Sequence, residues 1–245
     1  MSHGTYLRLE LLRTLRNRRF LVFSLIFPVV LYLLIVGTNN NEEDVGGTGL
    51  SMALYFMVSI SSFGTMTAML SSGARIASER KAGWNRQLRL TPLTPYEYIR
   101  AKLVTGYAVA LMSILVLYAA GIVMGVSLPI NRWLEMTGLI LVGLIPFAAL
   151  GIAIGHLLSE DSMGPAVGGT TAILAFVSGT WFPVPEHGFL HDLSQALPSS
   201  YLVQAGRVGV GGSAWGTTGW LVVAAWTVVL GAVARWAYLR DTGRA

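Results

Sequence analysis

The chain contains no cysteine, which removes disulfides, thiolate chemistry and cysteine-ligated metals together. Charge is scarce as well: Asp, Glu, Lys and Arg make up 12% of the 245 residues, against about 25% in ordinary soluble domains. Hydrophobic residues reach 53%, and the mean hydropathy is +0.60. So few charges cannot cover a soluble fold of this size, and the same numbers exclude disorder. Lysine is rarest of all. Lys81 and Lys102 are the only two; neither follows Gly or precedes Ser or Thr. The phosphate-cradling G-x-x-x-x-G-K-[ST] loop is therefore absent, and ATP hydrolysis is not expected of this chain.

What is present is apolar sequence in long uncharged runs: Phe20–Asn41, Val45–Ala74, Leu103–Asn131, Met136–Ser159 (His156 apart), Ser162–Pro185 and Val208–Ala234. Each exceeds the roughly 20 residues that cross a hydrocarbon core. Phe20–Val36 holds fourteen Leu, Ile, Phe or Val in seventeen residues. That is long for the core of a signal peptide, and no A-x-A site follows, so an anchor is expected. The runs predict an all-α integral membrane protein with one transmembrane domain over 1–245. Its six helices are expected at about 20–37, 50–74, 103–127, 134–157, 164–183 and 218–238. The ten-residue alternating segments of a barrel are missing.

Loop charge sets the orientation. Fifteen of the 17 basic residues fall in the N-terminal segment, the loop after the second span, and the C-terminal segment. Arg132 and Arg207 lie on the other side with the acidic run Glu42-Glu43-Asp44. The positive-inside rule then places both termini in the cytoplasm. The basic excess is a topology signal and a contact for anionic lipid, not a nucleic-acid patch.

Three intervening segments are long enough to have a task. In Thr5–Arg19, Leu7, Leu11 and Leu15 recur every four residues beside Leu12, with Arg8 inside the apolar sector and Leu9 outside it. Two readings stand: an interfacial helix, or a basic flank that only fixes topology. In the cytoplasmic loop Arg75–Lys102, a short helix over Trp84–Leu90 would set Trp84 and Leu88 on one face and Arg86 and Arg89 on the other. Thr91-Pro92 breaks it, and Thr94-Pro95-Tyr96-Glu97 reads as a capping box opening the next helix. A docking element is preferred there over a plain connector. The third segment, Val184–Gly216, carries His187 and His191 at i, i+4. That is metal-ligand spacing, but no third ligand is fixed, and a surface helix is the better reading.

The expected spans hold no Asp, Glu, Lys or Arg near mid-bilayer. Proton relays and charge-ring filters need such groups. A hydrolytic pair also fails, since Ser127 and His156 fall at opposite ends of their spans. A route for an apolar or amphipathic compound, driven from elsewhere, fits better. A non-transport assembly or sensing module is the alternative outside transport.

Two motifs narrow this. The run Ile76-Ala77-Ser78-Glu79-Arg80-Lys81-Ala82-Gly83…Leu88…Leu90-Thr91-Pro92-Leu93-Thr94…Lys102 resembles the cytoplasmic loop of ABC transporter type-2 permeases, the membrane subunits of drug and polysaccharide exporters. Ser178-Gly179-Thr180-Trp181-Phe182-Pro183-Val184…Leu193…Pro198…Tyr201…Arg207 resembles that family's segment at the outer end of the fifth span, before a short re-entrant region. Trp84 departs from the pattern, where the family often has Thr or Ser. The resemblance implies two permeases, each bound to an ATP-binding subunit that holds the ATP and Mg; this chain would carry no cofactor. It implies a coupling site at Glu79, Arg80, Gly83, Trp84, Leu88 and Pro92, with a second contact at Glu160 and Asp161. The substrate path would run between the second and fifth spans, past Phe56, Phe63, Met66, Thr171 and Phe176. Gly179, Phe182, Pro183 and Pro198 would mark the outer segment. The implied activity is ATP-driven export of a hydrophobic or amphipathic compound from a bacterial cell across the plasma membrane, with a lipid-linked glycan as the alternative cargo. Gly121-x-x-x-Gly125, Gly151-x-x-x-Gly155 and Gly164-x-x-x-Gly168 are expected to be close helix contacts.

Overall fold

A computed structural model describes residues 3–17, 21–39, 45, 49–83, 87, 91, 93–210 and 214–242. The helices are α1 (His3–Leu15), α2 (Phe27–Asn39), α3 (Met52–Lys81), α4 (Pro95–Val123), α5 (Ile130–Gly143), α6 (Ile145–Leu157), α7 (Glu160–Val177), α8 (Phe189–Gln195), α9 (Pro198–Gln204) and α10 (Thr217–Thr242). Among the described residues, four helical stretches are long and apolar enough to cross a bilayer: Met52–Lys81, Pro95–Val123, Ile130–Leu157 and Thr217–Asp241. The chain is thus an all-α integral membrane protein.

The expected first and fifth spans take a different form. A π-helical turn, Val22–Ile26, leads into the shorter α2. Pro28 has no N–H for the Ser24 carbonyl, which instead accepts from Ser113 Oγ at 3.4 Å. α7 starts four residues before the expected span and ends at Val177, with Glu160 and Asp161 in its first turn. The expected fourth span is divided into α5 and α6 at Leu144, where Pro146 at the start of α6 interrupts the hydrogen-bond ladder.

α3 is the centre of the fold. It packs on α2, α4, α6 and α7, and α10 packs on the far side of α6. Its buried hydroxyls bond their own helix: Ser61 to the Met57 carbonyl at 2.6 Å, Ser62 to Val58 and Thr65 to Ser61 at 2.8 Å. Polar side chains satisfied locally can be buried in an apolar bundle. Against α6 the two backbones touch. A Cβ on Gly155 would meet the Gly73 carbonyl at 2.6 Å, and one on Gly151 the Met69 carbonyl at 2.7 Å. Gly121 packs on Met57, whereas Gly164 and Gly168 of α7 have nothing within 4 Å of a Cβ. The glycine pair of α6 is therefore a closed contact, and that of α7 an open face.

α1 lies against α4. Its buried stripe is polar: Tyr6, Glu10 and Thr14, one turn apart. Leu9, Leu12 and Leu15 point outward. Of the leucine repeat, Leu7 and Leu11 are half-buried while Leu12 and Leu15 are exposed, and Leu9 lies outside as expected; Glu10 and Thr14 turn inward because they find ionic and hydrogen-bond partners there. At the opposite end of the bundle, Trp215 Nε1 donates to the Tyr201 carbonyl at 2.7 Å, and Trp226 Nε1 to the Ala196 carbonyl at 2.8 Å. These bonds hold α8 and α9 over the helix ends.

Candidate coupling site and cargo path

α3 does not stop where the charges begin. It continues to Lys81, because charge beyond the apolar core does not end a helix; a cap does. The Ala82 N–H donates to the Ser78 carbonyl and the Gly83 N–H to the Arg80 carbonyl, each at 3.0 Å. Gly83 has φ +68°, the left-handed geometry that closes a helix C-terminus. Trp84, Arg86, Leu88 and Pro92 lie outside the described residues; Gln87 is helical and exposed. The chain re-enters helix at the expected capping box. The Glu97 N–H donates to Thr94 Oγ1 at 3.3 Å, and the Thr94 N–H to Glu97 Oε2 at 2.8 Å, with Pro95 at the first position.

Three consecutive residues at the end of α3 hold three different neighbours. Successive helical positions turn by about 100°, so Glu79, Arg80 and Lys81 point separate ways. Glu79 is buried: Lys102 Nζ stands 2.6 Å from Glu79 Oε1 and 2.6 Å from Glu10 Oε1. Tyr98 donates to Glu79 Oε2 at 2.7 Å, and Arg13 reaches Glu79 Oε1 at 3.0 Å. Thr14 accepts from Arg75 beside them. Lys102 is 0% exposed. A buried ammonium between two carboxylates is tolerable only because each charge is paired.

Arg80 turns to α6 and α10. It stands 2.9 Å from Asp241 Oδ1 and donates to the Gly155 and Leu158 carbonyls at 3.0 and 3.2 Å, capping the end of α6. Asp241 Oδ2 also lies 2.9 Å from His156 Nδ1. His156 is buried between Asp241 and the Tyr238 ring. Lys81 turns to α7 and sits 3.1 Å from Glu160 and 3.4 Å from Asp161, while Ser78 donates to Glu160 at 2.6 Å. The Ser78 hydroxyl, then Lys81, holds the Glu160 carboxyl below its ordinary range. The two stretches expected to meet a partner, around Glu79 and around Glu160, are thus joined to each other. Sequence reading missed Glu10 and gave Lys102 no partner. Both had a faint signal, as the one acid of α1 and one of two lysines.

Of the expected path residues, Phe56, Met66 and Thr171 are buried within the protomer. Phe63 is half-buried beside Trp181, with ring centroids 5.4 Å apart. Phe176 is exposed and faces Phe182 at 6.3 Å. The open seam of α3 is Phe63, Thr67, Ser71, Ala74 and Ser78, spaced at three and four. On α7 the open face is Gly164, Gly168, Ala172, Ile173 and Phe176. At the far end, Tyr55 donates to the Gly179 carbonyl, tying α3 to the turn after α7. Pro198 is buried at the start of α9, and Phe182 and Pro183 are not. His187 is exposed, and His191 Nδ1 lies 3.1 Å from the Pro185 carbonyl. Among the described residues, no group of three His, Cys, Asp or Glu could hold a metal ion.

Long apolar helices, joined at one end by the ion pairs around Glu79, Arg80 and Lys81, make this a multi-pass membrane protein. The chain belongs to the family described as ABC-2 family transporter protein, which it matches over residues 36–236. It is similar to YvfS of Bacillus subtilis (strain 168), which is named as a transport permease: 30% identical over 197 residues, covering 78% of each chain. The chain is accordingly a membrane permease subunit of an ABC-type export system.

Proposed function

We propose that this subunit works as a pair of copies, each docked on an ATP-binding subunit through the 75–102 elbow, and exports a hydrophobic or amphipathic compound. Six spans with both termini in the cytoplasm and a location in a bacterial plasma membrane complete the reading. One observation carries it. Glu79, Arg80 and Lys81 connect the elbow to α1, α4, α6, α7 and α10, so a displacement there is passed to most of the bundle. The cytosolic contact residues are Gly83, Trp84, Leu88 and Pro92, with Glu160 and Asp161 beside them. Glu79 and Arg80 act behind that surface as positioning residues. The open seam of α3 and the open face of α7, with Phe63 and Phe176, line the path. Met66, Phe56 and Thr171 support it from inside.

The test is ATPase co-purification and ATP-dependent transport at equal membrane levels. Leu88→Asp is expected to lose both, and Arg86→Ala to lose little. Full activity in Leu88→Asp, with loss in Arg86→Ala, would mean that the docking face is on the other side. Full activity in both would leave the elbow a mere connector.

A further inference from the structure

At the end of α3 remote from the elbow lies a cavity of about 210 Å³, bounded by α3, the turn after α7, and α8 and α9. Pockets for whole drug-sized ligands run about 300–1,000 Å³, so this one is the size of a head group. Its lining is unusual for so apolar a chain. Glu186 and Arg207, both exposed, stand at its rim and form no salt bridge with each other or with any other described residue. Ser200 also lines it; its hydroxyl is buried without a hydrogen-bond partner among the described residues. Gln204 and Ser59 add an amide and a second hydroxyl. A buried hydroxyl left unmet at a cavity wall is a donor awaiting an acceptor. Opposite charges held apart around one space suit a molecule that carries both. Beside the cavity, Phe182 is exposed and stacks edge-on with exposed Phe176, offering an apolar surface to a chain.

We propose that this cavity receives the zwitterionic head of a single-chain amphiphile. Arg207 faces its anionic group, Glu186 its ammonium group, and Ser200 and Gln204 its ester or hydroxyl oxygens, while the tail lies along Phe176 and Phe182. The proposal rests on the exporter reading above and names the head-group chemistry. Such a head belongs equally to a resident membrane lipid and to a cargo in transit.

The natural absence of cysteine makes the test clean. Val203 lines the cavity and is half-buried, so Val203→Cys in the full chain reports occupancy by its rate of reaction with a small thiol reagent. The chain is reconstituted in vesicles of phosphatidylglycerol and a neutral glycolipid. Three lysolipids of one acyl length are then added separately: lysophosphatidylcholine, lysophosphatidylglycerol and monoacylglycerol. Lysophosphatidylcholine is expected to slow labelling at least tenfold more than the other two. Arg207→Gln and Glu186→Gln should each abolish that preference, and Arg207→Lys should retain part of it. Equal protection by all three lysolipids, no protection, an unreactive Val203→Cys, or a preference untouched by the charge variants would overturn the proposal. In the complex with its ATPase, stimulation of ATP hydrolysis by lysophosphatidylcholine, lost in Arg207→Gln, identifies the occupant as cargo. Selective protection without stimulation identifies a resident lipid. Selective protection in a chain that never binds an ATPase would overturn the exporter assembly and leave the cavity proposal standing.

Discussion

At its elbow end α3 carries Glu79, Arg80 and Lys81, and each is paired within the chain. At its far end Glu186 and Arg207 share a cavity without pairing. Both ends use charge in a charge-poor chain, for opposite purposes. Paired charges fix neighbours to one another, because breaking a buried pair strands a costly ion. Unpaired charges at a cavity leave their interaction for something that arrives. The comparison breaks most easily at the buried pair. Lys102→Met removes the ammonium that stands between Glu10 and Glu79, leaving them only Arg13 and Arg75 nearby, and should cost about 3–5 kcal/mol, read as a lowered unfolding midpoint of the purified chain. Adding Glu10→Gln and Glu79→Gln should restore most of it. Glu186→Gln, at the other end, should leave the midpoint unchanged. Equal effects at the two ends would erase the distinction.

A second contrast is between the two glycine pairs. Gly73, Gly151 and Gly155 let α3 and α6 touch backbone to backbone. Gly73→Ala puts a methyl group against the Gly151 carbonyl and should destabilise by about 1–3 kcal/mol. Gly164→Ala meets nothing and should stabilise its helix by up to about 1 kcal/mol. If the open face of α7 meets a second copy, Gly168→Leu will weaken self-association on size-exclusion chromatography without lowering protomer stability. A neutral Gly73→Ala would show that α3 and α6 are not in such contact.

These cases also mark what could be read from sequence. The Thr94–Glu97 capping box is local chemistry, complete within four residues, and it forms as expected. The α6 glycine pair was legible as a contact because only small side chains permit one; which helix it meets was not. The Glu10–Lys102 pair joins positions 92 apart, and no local pattern announces it. Phe56, Phe63 and Met66 share a stripe, but apolar and small residues recur on every face of α3, which is buried along most of its length. Periodicity therefore could not tell the inward face from the open one, and two of the three lie inside. The family and its membrane class were legible from composition and two motifs. Span ends were not, because the charges mark the edge of the apolar core and the caps mark the end of the helix.

Arg80 gives a smaller effect. Its guanidinium reaches Asp241 and two carbonyls at once, a fork that a lysine cannot reproduce. Arg80→Lys should cost roughly 1 kcal/mol, partial solvation reducing the 1.5–3 typical of charged hydrogen bonds. It should also loosen the end of α10, seen as faster amide exchange over its last turn. Unchanged exchange there would remove Arg80 from the link.

The smallest expected effect is at Glu160, where the elbow meets α7 at the protein surface. Its partners are exposed, so salt screens the pair and stability should hardly move in Glu160→Gln. The contact nevertheless has a definite pH sign. The Ser78 hydroxyl and Lys81 favour the carboxylate and hold its pKa below the unfolded value. The unfolded chain therefore binds the proton more readily, and stability from this contact rises with pH. It is complete above the ordinary carboxylate range, around pH 4.3, and is lost as pH falls through the lowered pKa. Glu160→Gln should flatten that small acid limb and leave the neutral-pH midpoint in place. In the proposed assembly with an ATPase the same variant should lower the ATP turnover coupled to transport more than it lowers stability, because the bridge between the two proposed docking stretches is gone. High salt should mimic the variant in the wild type and add little to Glu160→Gln. Were salt to act equally on both, the elbow and α7 would be communicating through something other than Lys81 and Glu160.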